Sequence, residues 1–217
     1  MSEKQQSSGC RLTDRQKKFL IYGIFFLLIL THHLTWGVVS DDVTNTTAFG
    51  EMSMYDIFQY KYMGNGRIFT DMLAFVIYRS MPYWAWKVLD SLIWTGLAWL
   101  IARLFTDNET DQVLAVCMML LVYPFGFLWS AGYIATTTNY IYPMLAMLLA
   151  VAPCIWDLRR HEKLPWYLYL LSGMGIIYAD NQDQYAVALC GFLFLTVIYL
   201  HTTIHVIPRN IIPFFQQ

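Results

Sequence analysis

Four groups of polar residues interrupt an otherwise apolar chain, and each has a composition and spacing that chemistry could use. Asp41 and Asp42 are adjacent carboxylates that follow the first long apolar run. At a water–lipid boundary such a pair can be desolvated, can hold a divalent cation such as Mg or Mn, or can have one pKa raised by its twin so that one member acts as a general base. The same two acids would also serve simply to mark the outer side of the membrane and to cap the next helix. Asn65-Gly66-Arg67 sets a guanidinium just after a glycine-flanked turn, a geometry suited to a phosphate or pyrophosphate oxygen. Alternatively, Arg67 snorkels to lipid headgroups or pairs with Asp71 one turn later. Thr136, Thr137, Thr138, Asn139 and Tyr140 bring hydroxyl and amide groups to the head of a later apolar run, where they would hydrogen-bond a sugar or diphosphate, or start a helix. Asp180, Asn181, Gln182, Asp183 and Gln184 are five consecutive polar residues between apolar segments, and at membrane depth such a cluster requires water, a ligand or partners.

The elements that must position these groups are membrane helices. Of the 217 residues, 57% are hydrophobic and only 13% charged, more apolar surface than a soluble domain of this size can bury. A formal charge of -1, without a basic face, argues against nucleic acid as a partner and leaves lipid as the solvent for the excess. Apolar runs occur at Phe19 to Val39, Trp84 to Leu104, Val113 to Trp129, Tyr140 to Trp156, Pro165 to Tyr178 and Tyr185 to Leu200. They predict an all-α polytopic bundle of about six spans. Residues 1–18 form an N-terminal tail, 19–205 the transmembrane module and 206–217 a C-terminal tail. A polar stretch rather than a small-residue cleavage site follows the first run, so it reads as an uncleaved anchor.

Lys and Arg set the orientation. Ten of the fourteen fall on one side of a six-span arrangement: Lys4, Arg11, Arg15, Lys17, Lys18, Arg103, Arg159, Arg160, Lys163 and Arg209. The positive-inside rule makes that side cytoplasmic, with both termini inside. All four polar groups then lie on the outer face. The first outer loop, about 40–83, is long for a connection between packed spans, and its aromatic and aliphatic residues predict two short interfacial helices, over Met52 to Tyr62 and Ile68 to Met81, joined at Gly64-Asn65-Gly66.

The other reactive residue types suggest little. Cys10, Cys117, Cys154 and Cys190 are scattered, with neither zinc-site spacing nor a disulfide framework. His32 and His33 are neighbours and so point to different helix faces. No nucleotide loop, nucleophile elbow, metalloprotease helix or internal repeat is present.

With Ser40-Asp41-Asp42 after the first span, Asn65-Gly66-Arg67 in a long helical outer loop, and Asn139-Tyr140 and Asp180 to Gln184 at later outer turns, the chain resembles the GT-C class of membrane glycosyltransferases. The resemblance is to the N-terminal module of a poorly characterised bacterial group. It implies a bacterial inner-membrane enzyme that moves a sugar from a polyprenyl-phosphate donor to a glycan, lipid or protein acceptor on the outer face. It also implies that Asp41 or Asp42 is the catalytic acid–base residue, with the other carboxylate holding the cation, and that Arg67 neutralises the departing phosphate. Asn65, Asn139, Tyr140, Asp180, Asn181 and Gln182 would line the substrate groove. Two other classes fit the composition: a non-enzymatic membrane subunit of a glycan assembly or export complex, and a small transporter or flippase, for which Asp90 is the ionisable group inside a span.

Overall fold

The computed structural model describes residues 12–64, 66–160 and 165–204. Asn65 and most of both expected tails lie outside the described residues. Among the described residues every regular element is a helix: α1 (Asp14–Leu34), α2 (Asp41–Glu51), α3 (Met54–Gly64), α4 (Ile68–Ser80), α5 (Tyr83–Phe105), α6 (Thr110–Leu121), α7 (Tyr133–Thr136), α8 (Tyr142–Arg160), α9 (Trp166–Asp180) and α10 (Asp183–Ile204). A 3-10 turn spans Phe125–Ala131, and a π turn, Thr137–Ile141, joins α7 to α8.

Local chemistry sets the boundaries. Thr13 starts α1 with a capping box, its hydroxyl accepting from Gln16 N at 3.3 Å while its own N–H donates to Gln16 Oε1 at 2.8 Å. Its 21 residues give about 31 Å of helix, enough for a ~30 Å hydrocarbon core. Four helical stretches are long and apolar enough to cross a membrane: α1, α5, the continuous helix Tyr133–Arg159 and α10. The Val113 to Trp129 run does not form one helix. Pro124 lacks an amide proton, α6 ends after 12 residues, and the chain continues as the 3-10 turn. The π turn lets the next helix begin at Tyr133, seven residues before the apolar run that predicts it. At 12 and 15 residues, α6 and α9 are about 18 and 22 Å long, shorter than a straight crossing.

The chain divides into two compact units. The first combines residues up to Met52 with Ala74–Thr137; the second combines Ser53–Leu73 with Thr138 onward. In the first, α1, α5 and α6 pack on one another. Lys87 Nζ, near the start of α5, donates to Trp36 O at 2.7 Å and Leu34 O at 3.2 Å at the end of α1, while Arg103 lies within electrostatic reach of Tyr22, so α5 is antiparallel to α1. Cys117 lies beside Tyr22, the Phe125 ring 4.9 Å from His32, and the Tyr133 ring stacked 4.0 Å from Trp36. Thus α6 and its 3-10 continuation ascend alongside α1. Phe19, Leu27 and Leu28 on the far side of α1 are exposed, as a lipid-facing surface requires.

In the second unit α9 lies antiparallel on α8. Ser172 Oγ donates to Ala150 O at 2.7 Å, and Tyr178 Oη donates to Thr138 O at 3.1 Å. Between these bonds a Cβ at Gly175 would stand 2.5 Å from Ala146 O and 3.1 Å from Ala150 N, so the two backbones meet where no side chain intervenes. Gly175→Ala is therefore expected to force α9 off α8 and to cost about 1–3 kcal/mol in thermal unfolding in detergent. An unchanged melting curve would show that the backbones need not approach so closely. Tyr185 Oη, at the start of α10, donates to Tyr140 O at 2.6 Å.

Candidate functional site

The residues singled out by the sequence gather in two polar assemblies, one in each unit. In the first, Asp41 and Asp42 both open α2 but occupy opposite environments. Ser40 has a left-handed φ of 50°, and its hydroxyl donates to Ser130 O at 2.8 Å, which fixes the turn into the helix. Asp42 is then fully enclosed. Its Oδ2 accepts from Ile134 N at 3.0 Å, and its Oδ1 accepts from Ala135 N at 3.0 Å and from the Tyr78 hydroxyl of α4. The first turn of α7 thus receives its cap from a carboxylate 92 residues away. Gly132, which occupies the N-cap position itself, has φ 92°, and a Cβ there would stand 2.5 Å from Asp42 Oδ1 and 2.8 Å from Asp42 N. Only glycine allows this approach.

Burial raises the Asp42 carboxyl above the usual range, against the opposing hydrogen bonds from Tyr78, Ala135, Ile134 and Tyr133. Burial and the neighbouring Asp42 likewise push the Tyr78 phenol upward. Asp41 is exposed. Both oxygens of Asp42 accept hydrogen bonds, whereas Asp41 is turned to the exposed side of α2. No group of three or more His, Cys, Asp or Glu side chains with metal-site geometry forms among the described residues. Asp42 is a structural clamp, and Asp41 is the carboxylate available for chemistry.

In the second unit the Gly66-Arg67 turn is tied to the Asp180–Asp183 turn. Asn181 Oδ1 accepts from Phe69 N at 2.9 Å and Thr70 N at 3.2 Å, and Asn181 Nδ2 donates to Gly66 O at 3.1 Å. Gly66 adopts the left-handed φ of 71° that the turn needs. Asn181 therefore occupies the amides at the start of α4 that a phosphate would otherwise engage. Arg67 Nη2 lies 3.5 Å from Asp183 Oδ2, with the two side chains 32% and 85% exposed, so this ion pair is readily exchanged. Gln182 is fully enclosed, and neither its Oε1 nor its Nε2 makes a hydrogen bond. Asp71 is nearly buried and within electrostatic reach of Tyr178. Asn139 is half-buried in the π turn, Tyr140 is 37% exposed at its end, and Asp180 is exposed.

Asn181→Ala is expected to remove about 1 kcal/mol of capping from α4. Amide hydrogen exchange at Phe69 and Thr70 should accelerate, and unchanged protection there would contradict the tie.

The structure adds residues that sequence reasoning does not single out. Gly132 carries a faint signal, a glycine just before a helix-forming run. Tyr78 and Thr70 owe their places to pairings across 36 and 111 residues. With this geometry in hand, comparison with known proteins is short. No known family, curated protein or solved structure matches the chain.

Proposed function

We propose that the protein is a membrane glycosyltransferase of the GT-C type, acting on a polyprenyl-phosphate-linked sugar at the outer face of a bacterial inner membrane. The observation that carries this reading is the joining of the Gly66-Arg67 turn to the Asn181-Gln182-Asp183 turn. The joined turns carry a guanidinium in a largely solvated ion pair and, in the second turn, a buried amide that makes no hydrogen bond. A phosphate would displace Asp183 from Arg67, gaining a charge-assisted bond in place of a solvated ion pair. Asn181 fixes the turn that presents Arg67, while Gln182, Asn139 and Tyr140 supply hydrogen-bonding groups suited to a sugar. In the transfer, Asp41 is the base that the sequence resemblance implies for the acceptor hydroxyl proton. The acceptor oxygen bonds to the anomeric carbon as that carbon's bond to the phosphate oxygen breaks, and Arg67 stabilises the departing polyprenyl phosphate. No step is routed through a cation.

Alternating helix directions support six crossings, with α6 and α9 as the short ones. In the first unit α1 and α5 are antiparallel while α6 ascends with α1; in the second α9 reverses α8, and α10 starts at the level of Tyr140. On a six-span path ten of the fourteen Lys and Arg residues fall on one side by sequence, and the positive-inside rule makes that side cytoplasmic.

Thermal unfolding in detergent tests the phosphate site. At a polyprenyl phosphate concentration about 100 times its Kd, the stabilisation should reach about 2.7 kcal/mol. It should vanish in Arg67→Ala and be absent with the phosphate-free polyprenol. Equal stabilisation by polyprenol would mean that only the apolar tail is recognised.

A further inference from the structure

Helices α1 and α5 meet along two stripes that each repeat every four residues: Phe25, Ile29 and His33 on α1, and Trp86, Asp90 and Trp94 on α5. All six side chains are enclosed. Toward the end of α1 the seam becomes polar inside a membrane-crossing segment, where an ionisable group is costly and is retained chiefly for function. His33 Nδ1 lies 3.1 Å from Ser91 Oγ and 3.5 Å from Asp90 Oδ2. Ser91 donates its single hydroxyl proton to Lys87 O at 2.8 Å, so the oxygen faces Nδ1 with a lone pair. This arrangement sets the neutral imidazole's proton on Nδ1 and leaves a basic lone pair on Nε2. Nε2 is enclosed and makes no hydrogen bond, and the indole N–H groups of Trp86 and Trp94 are likewise enclosed and unbonded. An enclosed acceptor and two enclosed donors on the same seam as a carboxylate each cost about 1–3 kcal/mol if left unbonded, and ordered water is the usual partner of such groups.

The Ser-His-Asp grouping is not a nucleophilic triad, because Ser91 and Asp90 both address Nδ1 and nothing couples a hydroxyl to Nε2. The titratable groups facing the seam are His32 on α1, Tyr83 and Lys87 on α5, Tyr123 beyond α6 and Tyr133 on α7. Lys87 is bound by the carbonyls of Leu34 and Trp36. We propose that the α1–α5 seam is a proton-binding site of the membrane interior, at which His33 Nε2 takes up one proton from water and Asp90 balances the resulting imidazolium. The transfer breaks one O–H bond of a hydronium ion and forms one N–H bond, leaving water. The inference does not depend on the glycosyltransferase reading, and it gives the protein a means of responding to proton concentration from within its bundle.

Solid-state NMR of the full chain in lipid vesicles, with ¹⁵N-labelled histidine, tests it. The His33 signal is expected to show the Nδ1–H tautomer at about pH 8 and a doubly protonated ring by about pH 2. In Asp90→Asn the proton affinity of His33 should fall at least tenfold, moving its midpoint down by a pH unit or more. Asp90→Glu, which keeps the charge, should shift it less. A His33 ring that remains neutral across the range overturns the proposal on the wild type alone, whether or not any variant folds. A midpoint identical in wild type and Asp90→Asn overturns the pairing.

Discussion

Gly132→Ala is expected to cost about 3–5 kcal/mol and to abolish the thermal unfolding transition of the native first unit. The added Cβ would meet Asp42 Oδ1 at 2.5 Å, Cγ at 2.7 Å and N at 2.8 Å, and backbone lies among those atoms, so rotating a side chain cannot relieve the contact. The left-handed φ of 92° adds a strain of about 1–3 kcal/mol for any residue but glycine. Displacing Asp42 also removes the cap on Ile134 and Ala135 and leaves the half-buried Tyr78 hydroxyl without its acceptor, at about 1–3 kcal/mol. Tryptophan fluorescence during thermal unfolding reads the loss, since Trp36 stacks on Tyr133 immediately beyond the glycine. A Gly132→Ala variant that melts like the wild type would mean that Asp42 does not hold the head of this helix.

The second large effect separates two neighbouring acids. Asp42→Asn is expected to lower stability by about 2–4 kcal/mol, because an amide presents at least one N–H toward donors that need an acceptor. Asp41→Asn alters an exposed side chain and should change stability by no more than about 0.5 kcal/mol. Its sugar-transfer rate should fall by about 10²–10⁴-fold, the usual contribution of a positioned general base. The decisive comparison is rate per folded molecule. If Asp41→Asn retains its full rate, the base lies elsewhere and the assignment fails.

The membrane character of the fold, and most of the helix cores, can be read directly from apolar runs, because lipid imposes one requirement on every span. Breaks within helices are less legible. Pro124 ends a run that hydropathy alone would continue, and the π turn at Thr137–Ile141 carries a helix upstream through polar residues that look like its start. The polar groups are legible as groups but not in their roles. Asp41 and Asp42 look equivalent in sequence; the direction each side chain takes from α2 makes one a clamp and leaves the other exposed. Asn181 reads as a substrate ligand, yet it caps α4, because its partners are backbone amides 111 and 112 residues away that carry no side-chain signature. The approach of Asp183 to the Arg67 guanidinium, at 3.5 Å, is likewise a long-range pairing that helix spacing does not announce. Asp90, set in apolar sequence where charge is costly, announces itself by position.

Sugar release from radiolabelled polyprenyl-phosphate sugars, by the purified protein in lipid, tests the central claim most directly. The account predicts release by the wild type from at least one donor, and its loss in an Arg67→Ala variant whose thermal unfolding matches that of the wild type. Equal release by the two proteins, or none by either, would contradict it.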